Sequence, residues 1–253
     1  MRFLLTLTLA AGLLLPDDAL DLPYADAQDK AAVSSPLTLV ALHDAGSERY
    51  RAQADKAAAN IRADAELVKA LRAEAKAAGT ALTGMDLMRL AAYESGASKA
   101  CVPDDKRRIG LFQLSPVTCR DVRIPYTQVD EASEWRKHAE AGRKLYVRLY
   151  KSLRHHLESD HGLVPAEVKL SAFHLYLAHR TSAQETALLI AQVLDGSSRT
   201  QLASPAFLAY LHSDPRLETL IASKHDIRAI EAYAYLLGGW SRMLDAITLP
   251  PTR

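Results

Sequence analysis

Glu94 stands at the end of an apolar helical stripe. Leu87, Leu90, Ala91 and Glu94 recur at i, i+3, i+4 and i+7, so one helix face is aliphatic until its last member, which is a carboxylic acid. A carboxylate is rarely placed on such a face without a reason, because partial burial disfavours its charged form. A carboxyl group in that setting is suited to hand a proton to a leaving oxygen near neutral pH. The competing reading is an end-of-helix glutamate that turns into water or pairs with Arg89, Arg107 or Arg108.

The residues that follow add binding chemistry. Glu94-Ser95-Gly96 leads through a polar loop to Gly110-Leu111-Phe112-Gln113-Leu114-Ser115-Pro116. Gly110 lets the backbone approach a ligand closely. Gln113 offers both a donor and an acceptor to a sugar hydroxyl or amide, and Phe112 an apolar surface. Ser95 has two readings, a hydrogen bond that orients Glu94 or a local bond to the helix turn.

The elements that must position these groups read as helices. Thr83 is the N-cap of a helix over Met85–Glu94, and Gly96 stops it. Ser115-Pro116 has the grammar of a new helix start. Glu131–Leu157 is the strongest helix, with Trp135, Ala139, Gly142, Leu145, Tyr146, Leu149, Leu153 and Leu157 at three- and four-residue steps. Further helices are expected over Ala166–His179, Ala183–Leu194, Pro205–His212, Pro215–Lys224 and Asp226–Ala246. Ser47–Ala78 is a polar helix or helical hairpin ended by Gly79, read as a spacer or packing element. No alternating strand pattern or hairpin turn signal is present, so the fold class is mainly α.

Met88–Thr118 resembles the core of the soluble-lytic-transglycosylase (SLT) type of lysozyme-like enzymes. That family carries a Glu-Ser pair at a helix end and, after a loop, Gly-Leu-Met-Gln-(Leu/Ile)-x-Pro, to which Glu94-Ser95 and Gly110–Pro116 are similar. Ala141-Gly142…Leu145-Tyr146 is similar to its next helix. Phe173-His174 stands where the family has Tyr-Asn, and Tyr210, after Pro205, corresponds to its final tyrosine. The resemblance implies a lysozyme-like helical domain over 80–212; outside it the residues read as a polar helical segment over 28–79 and a helical extension over 213–253. It implies a lytic transglycosylase acting on peptidoglycan glycan strands with Glu94 as the single acid and base. Ser95, Gly110, Phe112, Gln113, Phe173, His174 and Tyr210 would be the substrate-binding residues. A non-catalytic envelope protein on the same fold, or a hydrolytic lysozyme using Asp104 or Asp105, are the alternatives.

Composition sets outer limits. With 253 residues, 49% of them hydrophobic, the chain has material for one or two cored units and is not disordered as a whole. Its 31 basic and 30 acidic residues give no global electrostatic case for nucleic acid. Met1-Arg2 followed by the apolar run Phe3–Leu15 fits a secretory signal, with Ala25-Asp26-Ala27 as the cleavage site and residues 1–27 removed. The expected location is therefore the periplasm or cell envelope, with an envelope or secretion-machinery protein as a further partner. Removing Arg2, Asp17, Asp18, Asp21 and Asp26 leaves 30 basic and 26 acidic residues, a formal +4 that suits an anionic polymer. In an oxidising compartment Cys101 and Cys119 would pair, worth about 3 kcal/mol by loop closure. His155, His156 and His161 read as a solvated helix end rather than a metal site, and no cofactor is expected.

Overall fold

A computed structural model describes residues 36–80, 82–99, 108–126, 134–164, 168–195, 217, 227 and 229–247. It is mainly helical, and an isolated antiparallel bridge between Ile109 and Leu114 is the extended pairing recorded among the described residues. The helices are α1 Pro36–Arg49, α2 Arg51–Ala63, α3 Ala65–Ala77, α4 Gly84–Ser95, α5 Pro116–Asp121, α6 Trp135–His161, α7 Ala172–Arg180, α8 Ala183–Asp195 and α9 Ala229–Ala246. The chain divides into two units. The described residues of 50–151 and 242–247 form one, and those of 36–49 and 152–241 form the other.

In the first unit, α2 and α3 bury small or aliphatic side chains, Ala54, Ala57, Ala58 and Ile61 on α2 and Leu67, Leu71 and Ala75 on α3. The polar stretch expected as one helix or a hairpin is broken at Asp64, whose Oδ1 accepts from the Leu67 N–H at 2.9 Å. Asp64 also pairs with Lys99. Burial alone would raise its carboxyl, but the Lys99 and Leu67 bonds together hold it below the usual carboxylate range. The outer surfaces of α3 and α6 meet through ion pairs, Arg143 Nε to Glu74 Oε2 at 2.7 Å and Arg136 to Glu66 at 3.2 Å.

The second unit is built on α1, α7, α8, α9 and the last turns of α6. Here α1 and α9 approach to backbone contact: a Cβ at Gly46 would lie 1.9 Å from the Tyr235 carbonyl oxygen, and one at Gly238 1.9 Å from that of His43. Trp240 of α9 stacks on Tyr176 and lies tilted against Phe173, which also meets Tyr233 edge-on at 5.3 Å.

Several expected boundaries move. The helix expected to begin at Ala166 starts at Ala172, because Ser171 has an extended backbone with ψ 172°. The long helix runs from Trp135 past Leu157 to His161. The expected signal segment, Cys101, Tyr210, the helix over Pro205–His212 and, save Leu217, that over Pro215–Lys224 lie outside the described residues.

Candidate active site

Glu94 sits in the last turn of α4, and that helix is fixed at both ends by local chemistry. At its start Thr83 Oγ1 accepts from the Asp86 N–H at 3.1 Å while Asp86 Oδ2 accepts from the Thr83 N–H at 2.8 Å, a reciprocal capping box. At its end Gly96 turns left-handed with φ 67°, and the N–H groups of Gly96 and Ala97 close on Ala92 and Ala91. Leu87, Met88, Leu90, Ala91, Ala92 and Tyr93 are buried, so α4 is apolar over more than one stripe. Glu94 itself is half-buried, with its Oε1 shielded from solvent.

The second motif folds back beside this helix end. Residues 109–114 form a tight turn in which Ile109 and Leu114 exchange backbone bonds at 3.0 and 2.9 Å. Ser95 joins it to α4: its buried Oγ lies 3.0 Å from the Ala91 carbonyl and 3.0 Å from the Leu111 carbonyl, and accepts from the Ser98 N–H at 3.2 Å. One hydroxyl proton is shared between the two carbonyls. Of the two readings of Ser95, these contacts correspond to backbone anchoring.

The other residues of the motif are occupied by the fold. Gly110 has φ +72°, and a Cβ there would lie 1.9 Å from His138 Nδ1, so the space left by the missing side chain is filled by the imidazole of α6. Phe112 is fully buried; it packs over Gly142, where a Cβ would come within 2.1 Å of the ring, and meets Tyr146 edge-on at 5.7 Å. Gln113, held at φ +48°, is 8% exposed and its Nε2 donates to the Gly110 carbonyl at 3.0 Å. Ser115 caps α5 by accepting from the Thr118 N–H at 3.1 Å.

Three groups absent from the expected site complete it. Gln53 Nε2 on α2 donates to the carbonyls of Ala92 at 3.0 Å and Tyr93 at 2.6 Å, and Asn60 Nδ2 donates to Gly96 at 2.8 Å. Tyr50 tilts against Tyr93 with ring centres 4.7 Å apart. These amides give side-chain donors to the last carbonyls of the helix, Ala92, which also accepts from the Gly96 N–H, then Tyr93 and Gly96. The available sequence signal was the i, i+4, i+7 series Gln53, Ala57, Asn60, two amides aligned with a buried alanine.

Glu94, Ser95, Gly110, Phe112 and Gln113 therefore share one unit. Phe173 and His174 belong to the other, where both are buried. His174 Nδ1 accepts from the Ser171 N–H at 3.0 Å, which leaves Nε2 protonated and donating to Tyr233 Oη at 3.0 Å. Burial pushes the imidazole down to about 4 and the Tyr233 phenol above its ordinary value. Tyr210 and Cys101 lie outside the described residues, and the expected Cys101–Cys119 disulfide is not formed, since Cys119 is a free cysteine. Cys119 carries a buried free thiol, pushed up to about 11 by desolvation. His156 pairs with Asp160 at 2.8 Å, and no group of three metal-ligating side chains occurs among the described residues. No family model, curated protein or solved structure matches the chain.

Proposed function

We propose that the protein is a lytic transglycosylase of the lysozyme-like SLT type, exported to the cell envelope and acting on the glycan strands of peptidoglycan. The observation that carries this reading is the Ser95 bond to Leu111, which ties the Glu94 helix end to the Gly110–Gln113 turn. The two motifs that resemble the family are thereby brought together by a specific contact.

In this reading Glu94 protonates the oxygen of the β-1,4 bond between N-acetylmuramic acid and N-acetylglucosamine as that bond breaks. The substrate's own N-acetyl oxygen supports the developing cation. The Glu94 carboxylate then removes the proton from the 6-hydroxyl, which closes the 1,6-anhydro ring. The acid is regenerated and no water is consumed, so one carboxyl group performs both steps where most glycosidases use two. Gln53 and Asn60 keep the last turn of α4 from fraying while it does so.

The test is digestion of purified peptidoglycan followed by mass measurement of the soluble fragments. Anhydro fragments one water lighter than hydrolytic ones are expected. Glu94→Gln is expected to cut turnover at least about a hundredfold, the usual scale for a general acid, with folding retained; unchanged turnover would remove Glu94 from the mechanism. Fragments of full hydrolytic mass would make the protein a lysozyme instead. A second reading, an envelope-assembly protein without catalysis, is favoured by the burial of Phe112 and Gln113 within the fold; it predicts no soluble fragments at all.

A further inference from the structure

α5 leaves the turn at Ser115 and borders an open groove lined by Pro116, Arg120, Arg123, Ile124, Pro125 and Tyr126. The lining pairs two guanidinium groups with an apolar strip, and none of its described residues is acidic. Asp121, the one acidic neighbour on α5, is engaged elsewhere: Arg148 Nη1 donates to its carbonyl at 2.7 Å and lies 3.6 Å from its carboxylate. Both groove arginines are exposed.

Arg123 occupies an unusual backbone position. The N–H groups of Arg123 and Ile124 close on the carbonyls of Arg120 at 3.1 Å and Cys119 at 3.0 Å, the pairing of a Schellman motif. Its φ is +56°, where glycine is the favoured residue and a side chain is disfavoured. The conformation aims a long cationic side chain at the groove from a site that would be easier to build without one.

We propose that this groove holds the peptide stems that hang from the glycan strand, with stem carboxylates on Arg120 and Arg123 and alkyl portions on Pro125 and Tyr126. This rests on the reading of the chain as a wall-acting protein, and names the part of the substrate gripped beyond the sugar. Charge complementarity favours it, because guanidinium forks pair carboxylates in a bidentate geometry. So does position: Pro116 lines the groove two residues after Leu114, which closes the turn that Ser95 ties to the Glu94 helix.

The test uses the full chain and a dye-labelled synthetic stem peptide, read by fluorescence anisotropy at low salt. Saturable binding is expected, with the same peptide amidated at its carboxylates binding at least about fivefold more weakly. Arg120→Gln and Arg123→Gly should each weaken binding by about threefold to fivefold, the scale of an exposed charge pair. Lys151→Gln, an equal charge removed from the exposed surface of α6, should change it less than about twofold. Arg123→Gly also relieves the left-handed side chain, so its unfolding midpoint should stay level or rise, and lost binding cannot then be lost folding. Absence of saturable binding, equal binding of the amidated peptide, or an Arg123→Gly variant that binds like the parent would each overturn the proposal. Wall digestion on the same samples separates the two ideas: cleavage without stem binding sinks the groove alone, and stem binding without cleavage sinks the enzymatic reading alone.

Discussion

Gly142→Ala gives the sharpest check on how the turn is held. The new Cβ would stand 2.1 Å from Phe112 Cδ2, 2.4 Å from Cε2 and 2.7 Å from Cγ, against about 3.5–4.0 Å for an unstrained carbon pair. The ring cannot swing aside freely, since it is fully buried with its edge on Tyr146, and contact at Cγ sets the clash close to the Phe112 backbone. Overpacking of this kind costs about 3 kcal/mol at the upper end of its range. Alanine in the middle of a helix offsets about 1 kcal/mol of that relative to glycine, so the net loss is about 2 kcal/mol. Removing the ring should reverse the sign. Phe112→Ala alone costs about 3–5 kcal/mol, but in that background the clash is gone and Gly142→Ala should stabilise by about 1 kcal/mol. The coupling in a double-mutant cycle is then about 3 kcal/mol, well outside the error of additivity. Urea unfolding followed by far-ultraviolet circular dichroism measures all four proteins. An equal effect of Gly142→Ala in both backgrounds, or stabilisation in the parent, would refute the packing argument.

Two further expectations concern the supports of each unit. Gln53→Ala leaves the Ala92 and Tyr93 carbonyls without their side-chain donor; it should cost about 1–3 kcal/mol and lower the turnover of peptidoglycan with little change in KM, whereas a rise in KM alone would mean that Gln53 does not act through Glu94. Burial depresses the folded-state value of His174 to about 4 against an ordinary 6.5, so its contribution is fully present above about pH 6.5 and is lost as the pH falls towards 4. The loss is about 3 kcal/mol at most; a His174→Asn variant should lack this slope in unfolding midpoints taken from pH 7 to pH 4, and parallel profiles for the two proteins would contradict it.

What could be read from the chain was local. Thr83, Gly96 and Ser115-Pro116 are signals contained within a few residues, and each ends or starts a helix within a residue of where expected. A hairpin was one of the two expectations for Ser47–Ala78, but the position of the break at Asp64 was hidden, because Ala, Glu, Lys and Arg on both sides favour helix strongly and one capping carboxylate interrupts that composition without changing it. The amides of Gln53 and Asn60 were hidden for a different reason. Their partners are backbone carbonyls, which carry no sequence signature, on a helix more than thirty positions away. Gly110 was legible as a place where something approaches closely, but residue type alone does not distinguish a ligand from the imidazole of His138.

That ambiguity bears on which residue of the motif argues for chemistry. Packing accounts for most of it: Ser95 for its two carbonyls, Gly110 for His138, Phe112 for the space over Gly142, and Gln113 for the Gly110 carbonyl. A fold with no catalytic duty could use each of them for these contacts. Glu94 is different. It lies in the last turn of α4, where the helix dipole disfavours a negative charge by about 0.3–1 kcal/mol, and no basic residue accompanies it in that turn. It is also half-buried. Glutamine would have similar size and helix propensity without that dipole penalty. In the proposed reading, Glu94 is the residue of the motif whose carboxyl group does the chemistry. The comparison of Glu94 with Glu94→Gln is therefore the informative one: the variant should remain folded, and whatever activity it loses measures what the acid group is kept for.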